Sequence, residues 1–146
     1  MIRKKSIREV DITRLQEPSL DENDEALLKH GILLFNKGRF WEAHEAWEEL
    51  WKRREEESRI FFQGIIQAAA GFHRILEKPL LNGAVRNLDK AMLKLRLFPA
   101  EFLGIDVEGL RTAIAVAQRV LTTGGMPDEQ GVLEKLRPRI RRGKGY

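Results

Sequence analysis

A helix that is apolar on nearly every side must be covered on every side, and this chain contains one. From about Ser58 to Glu77, just short of Pro79, the apolar residues run from Ile60 through Phe61, Phe62, Ile65, Ile66 and Phe72 to Leu76. They leave only a narrow polar strip of Gln63, Gln67 and Arg74, with His73 beside it. Such a helix belongs at the centre of a bundle. The other segments with helical periodicity supply its cover. Asp21, Glu22, Asp24 and Glu25 suit the positive end of a first helix, which carries Leu28, Ile32 and Phe35 inward and ends at Gly38. A second helix runs from about Phe40 to Glu57. Asn82 is placed to cap a fourth, which Pro99 ends. Asp106 is placed to cap a fifth, which Gly124-Gly125 closes, and residues 127–140 suit a last short turn broken at Pro138. No stretch alternates apolar and polar residues as a half-buried strand does.

The expected architecture is therefore all-α: a single-domain helical bundle of about five mostly antiparallel helices. The bundle occupies residues 21–125, between a basic extended segment at 1–20 and a basic tail at 126–146. A length of 146 residues suits one such domain. The chain has no cysteine, which excludes disulfides, Cys-ligated zinc, iron–sulfur clusters and thiol catalysis. No apolar run is long enough to span a membrane, and the N-terminus lacks the apolar core of a secretory leader. The expected compartment is the cytoplasm, with no membrane partner.

The net charge of +4 is unevenly distributed. Residues 1–14 carry +3 and residues 135–146 carry +6, against −5 for the body between them. Basic ends on an acidic body are read first as solvated. They also suit arms that grip nucleic acid, or a Pro138–Arg142 stretch that docks on the acidic body. The run from Lys52 to Glu57 reads as a solvated helix end, with Lys52–Glu56 and Arg53–Glu57 spaced for pairing along the helix.

The second and third helices carry the candidate site. On a helical wheel Phe40, Ala43, Trp47, Leu50 and Trp51 share one arc, with His44 and Glu48 on its border and Glu42 and Glu45 toward solvent. If the two helices run antiparallel, Glu48 faces Gln67, His44 faces Gly71 and Trp51 faces Gly64. Gly64, Ala68 and Gly71 then form a groove of small residues that receives Trp47 and Trp51. The result is a polar cluster of His44, Glu48, Gln63, Gln67 and His73 in apolar surroundings. Buried polar groups must be satisfied, so the cluster is either an internal hydrogen-bond network or a ligand site. His44 and Glu48, one turn apart, have a spacing that chelates cations, and His73 is a third candidate ligand. The segment His44–Glu48 reads HEAWE, however, and lacks the second histidine of the H-E-x-x-H zinc motif.

The motifs E-A-H-E-x-x-E (Glu42–Glu48) and Q-G-x-I-Q (Gln63–Gln67), with N-G-A at Asn82–Ala84, resemble one family. It is the small bacterial and archaeal helical proteins of the domain of unknown function 309 family, and the resemblance covers roughly residues 24–97. It implies a compact helical bundle with no established activity. It also implies that the family's signature side chains fall on Glu42, His44, Glu45, Glu48, Trp51, Gln63, Gly64, Gln67 and His73. The sequence departs from the family pattern at Gly71-Phe72, where a larger aliphatic residue is usual.

Together these residues point to a non-catalytic module that binds a small molecule or a partner protein between the second and third helices. The ligand-binding candidates are Glu42, His44, Glu45, Glu48, Trp51, Gln63, Gln67 and His73, and no cofactor is required. One alternative is a metal-binding protein or metal-dependent hydrolase, with a divalent metal on His44, Glu48 and His73 and Glu45 as general base. Another is association with nucleic acid through the basic ends. The apolar third helix also suits a homo-oligomer.

Overall fold

The computed structural model describes residues 15–76, 81–123 and 138–143. In chain order the elements are α1 (Glu22–Asn36), α2 (Phe40–Lys52), a 3-10 turn (Glu57–Arg59), α3 (Ile60–Leu76), α4 (Leu81–Leu95), β1 (Glu101–Phe102), β2 (Ile105–Asp106) and α5 (Val107–Thr122). The five expected helices form. Asp21 caps α1 by accepting from the Asp24 amide at 2.7 Å, and Gly38 turns the chain into α2 at a φ of 80°, where a side chain is penalised. Asp106 caps α5 as expected, accepting from the Gly109 amide at 2.9 Å. Asn82 sits one residue inside α4 instead of capping it. Gly124-Gly125 lies outside the described residues.

α3 lies at the centre, packed on α2 and on α4, while α1 covers α2 and α5 covers α4. Phe40 and Trp41 at the start of α2 meet Phe72 and His73 near the end of α3, with ring centroids 5.6 and 5.2 Å apart, so these two helices are antiparallel. These pairs fall within three residues of the expected register. The small-residue groove, in contrast, faces α4. A Cβ on Gly64 would lie 3.0 Å from Leu95 Cδ2, and one on Gly71 would lie 2.6 Å from Leu88 Cδ2. Trp47 turns the other way, onto α1. Its indole fills the space over Gly31, where a Cβ would lie 2.0 Å from Nε1, and it donates to the Leu28 carbonyl at 3.2 Å. A helix that is apolar all round gives no wheel-based reason to assign its glycines to one neighbour over another. That is why the sequence sends the tryptophans to the wrong partner. Since α2 and α4 bury α3 within one chain, its apolarity does not by itself require a second copy.

The second helix stops at Lys52, five residues before its expected end. The two arginines that follow turn inward. Arg53 Nε lies 2.9 Å from Asp24 Oδ1 and Arg54 Nη1 lies 2.6 Å from Asp24 Oδ2. Arg54 also holds Glu56 and the Ser19 carbonyl. Asp24 is 2% exposed and sits in the first turn of α1, where a negative charge is favoured. A buried pair loses about 3–5 kcal/mol when one partner is removed, whereas a pair along an exposed helix contributes only about 0.3–0.5 kcal/mol. The run expected to be a solvated helix end is therefore an unwound corner tied to α1.

Two features have no periodic signature in the sequence. Glu101 pairs with Asp106 and Phe102 with Ile105 in a small antiparallel hairpin, turned by Leu103 and Gly104 at φ 53° and 76°. Strands of two residues are too short to leave an alternating pattern. Two positive φ values in sequence are typical of the tight hairpin turn. Leu103 is held there from both sides, since its amide donates to Glu17 at 2.8 Å and its carbonyl accepts from Arg142 Nε at 2.9 Å. The second feature is the segment 138–143, which docks on the body. Asn36 exchanges two hydrogen bonds with the main chain of Ile140, at 2.7 and 2.9 Å. Arg142 forks onto the Glu25 carboxylate, and the Gly143 amide donates to the Gly104 carbonyl at 2.8 Å. Of the short turn expected over 127–140, only 138–140 lie among the described residues, and they are not helical.

Candidate binding site

The structure spreads the expected cluster along the α2–α3 seam. At one end Trp41, 44% exposed, lies flat on His44, with ring centroids 4.5 Å apart and planes 11° apart. The His73 ring meets the same indole at 5.2 Å and 40°. Glu48 stands one turn beyond His44, its Oε1 3.6 Å from His44 Nε2. In the middle Gln67 accepts from Lys94 Nζ of α4 at 2.7 Å. At the far end Trp51 is buried under the Arg59 guanidinium, 4.8 Å from its ring centroid, and Gln63 is 4% exposed. Ten residues of helix separate Gln63 from His73, a rise of about 15 Å. Side chains that fall close together on the wheel are therefore distributed over several turns.

Glu42 and Glu45 stay on the solvent side, where the wheel puts them, and neither α1 nor α4 covers them. Glu42 is forked by Arg39 at the start of its own helix. His44, Glu48 and His73 do not form a metal-binding group. Among the described residues no set of three or more His, Asp or Glu side chains could hold a metal ion. Sequence reasoning misses Trp41 because the wheel places it outside the apolar arc. The available signal is its position three residues before His44, on the same face of the helix. Lys94 is also missed, because nothing in the sequence pairs it with Gln67 on a different helix.

The corner after α2 contains a small cavity of about 30 Å³, with Trp51, Glu56, Glu57, Arg59 and Gln63 among its lining residues. Gln63 Nε2 is buried with no hydrogen-bond partner among the described residues. An unmet buried donor costs about 1–3 kcal/mol, so native structures keep few of them. The rim is well anchored. Burial opposes ionisation of Glu56, but its hydrogen bonds from Arg54 and the Glu55 and Glu56 amides outweigh that and hold its carboxyl below the ordinary range. The hydrogen bond to Glu56, assisted by Asp24 and opposed by burial, pushes Arg54 up in turn.

The described segment near the C-terminus is docked through its main chain and Arg142, while Arg139 and Arg141 are exposed. Arg142 is committed to Glu25 and Leu103, and the Arg141 carbonyl accepts from Asp106. Residues 1–14, 124–137 and 144–146, which hold the basic residues of the two ends other than Arg139, Arg141 and Arg142, lie outside the described residues. Among the described residues no helix is long and apolar enough to cross a membrane.

Residues 28–87 match the family model of the Domain of unknown function (DUF309). This is the family the motifs point to. The DUF309 match runs from the middle of α1 into α4 and contains every candidate residue from Glu42 to His73. The hairpin, α5 and the docked segment 138–143 lie beyond it. An uncharacterized protein of Aquifex aeolicus (strain VF5) is 31% identical over 103 residues, which is 70% of this chain. The chain spans about a third (31%) of that relative's length.

Proposed function

We propose that the chain is a non-catalytic binding module whose outer α2 face, anchored on Trp41, receives a basic segment of a partner protein. The observation that carries this reading is the exposed indole fixed against His44 and His73. An aromatic side chain already held in one orientation loses little entropy on binding, and such residues dominate the energy of interfaces. Its surroundings favour a cation, because Glu45 and Glu49 are exposed on the same helix and a guanidinium or ammonium group is attracted to an indole. The exposed face from Trp41 through Glu45 to Glu49 runs about 12 Å along α2, which suits an extended segment better than one small molecule. The docking of Arg142 on Glu25 takes that one side chain out of a nucleic-acid arm.

The test is a fluorescence-anisotropy titration with two labelled ten-residue peptides, one alternating arginine with glycine and one alternating glutamate with glycine. The basic peptide is expected to bind the wild type and to lose about tenfold or more in affinity to Trp41→Leu. The melting temperature of that variant should be unchanged. Equal binding to both proteins, or preference for the acidic peptide, overturns the reading.

A further inference from the structure

We propose that the cavity at the corner between α2 and α3 is a second binding site, which takes the –CH2OH end of a polyol or sugar. It lies at the opposite end of the seam from Trp41 and does not depend on the partner surface proposed there. Gln63 is 4% exposed, its Nε2 has no partner among the described residues, and it lines the cavity. The donor therefore calls for an oxygen acceptor. Glu55, Glu56 and Glu57 line the same space. A carboxylate accepts as many as about four hydrogen bonds, so an acidic lining of this kind suits a ligand that donates.

These two demands define the ligand group. An anion would satisfy Gln63 but meet three acidic residues, Glu55, Glu56 and Glu57, and a cation would meet Arg59 and the positive end of the amide. A hydroxyl accepts from the amide and donates to the acidic lining. Its size is set by the volume: about 30 Å³ holds roughly two groups the size of a water molecule, which is an oxygen and the carbon bearing it. Trp51 and Ile60 supply an apolar wall for that carbon. The rim is already formed, because Arg54 fixes Glu56 at 2.7 Å and the Arg59 guanidinium is tied to the Arg54 carbonyl at 3.0 Å.

The test follows the side-chain amide signals of Gln63 by nitrogen–proton NMR on the full chain, titrated with glycerol and separately with sodium acetate and guanidinium chloride. Glycerol is expected to move the Gln63 signals and the Glu57 and Arg59 amides saturably, and neither ion should do so. Gln63→Met keeps the volume and removes the donor, and it is expected to abolish the glycerol shifts at Glu57 and Arg59. Gln63 signals that stay unmoved by glycerol, and that exchange magnetisation with water alone, would make this a hydration site and overturn the proposal. Shifts that persist in Gln63→Met would overturn it too. If that variant does not fold, the wild-type titration still decides.

Discussion

Gly31 shows how much one hydrogen atom in place of a side chain can determine. It lets the Trp47 indole lie against the backbone of α1 and reach the Leu28 carbonyl. Phe35 flanks the same indole at 5.9 Å, so Trp47 has no room to retreat. Alanine is the better helix former by about 0.5–1 kcal/mol, but overpacking a filled site costs about 1–3 kcal/mol, and the displaced indole also loses its hydrogen bond. Gly31→Ala is therefore expected to lower stability in urea unfolding. A variant as stable as the wild type would contradict this packing. The sequence shows Gly31 within an apolar stripe but not which large residue needs the space. The same limit hides that Gly64 and Gly71 receive Leu95 and Leu88 of α4, not Trp51 and Trp47.

At the scale of elements, periodicity made the helices legible. Asp21, Gly38 and Asp106 marked boundaries that the structure keeps. The end of α2 was not legible, because the local spacing of Lys52–Glu57 fits a helix and the competing partner, Asp24, lies far away in sequence. The same applies to the site. A helical wheel shows the face but not its depth, so it merges residues from Gln63 to His73 into one cluster and places Trp41 outside it. The corner after α2 makes a pH-dependent contribution. The folded-state pKa of Glu56 is lowered, so this carboxylate stabilises the fold above its unfolded value, near 4.3, and the contribution disappears as pH falls through the folded value. Glu56→Gln should therefore be less stable than wild type at pH 7 and approach it as the pH is lowered below 4. Melting curves at both ends of that range check this, and a difference that grows on acidification would contradict it.

At the scale of the whole molecule, α1 is the keel to which distant segments attach: Arg53 and Arg54 at its start, Trp47 at its middle, and the segment 138–143 along its length. Arg142 joins α1 to the hairpin by holding Glu25 and the Leu103 carbonyl together. Hydrogen bonds of this charged kind contribute about 1.5–3 kcal/mol. Arg142→Ala should lose stability in that range and speed hydrogen exchange at the Asp106 and Ile140 amides. Unchanged exchange would show that the segment does not hold the hairpin. The surface beside Trp41 lies in the DUF309-matched part of the chain, away from this attachment. The most direct test of its role is to map, residue by residue, the backbone NMR shifts produced by the arginine–glycine peptide. The account predicts shifts centred on Trp41, His44, Glu45, Glu48 and His73 that disappear in Trp41→Leu. Shifts scattered over the molecule, or centred on the hairpin and residues 138–143, would contradict it.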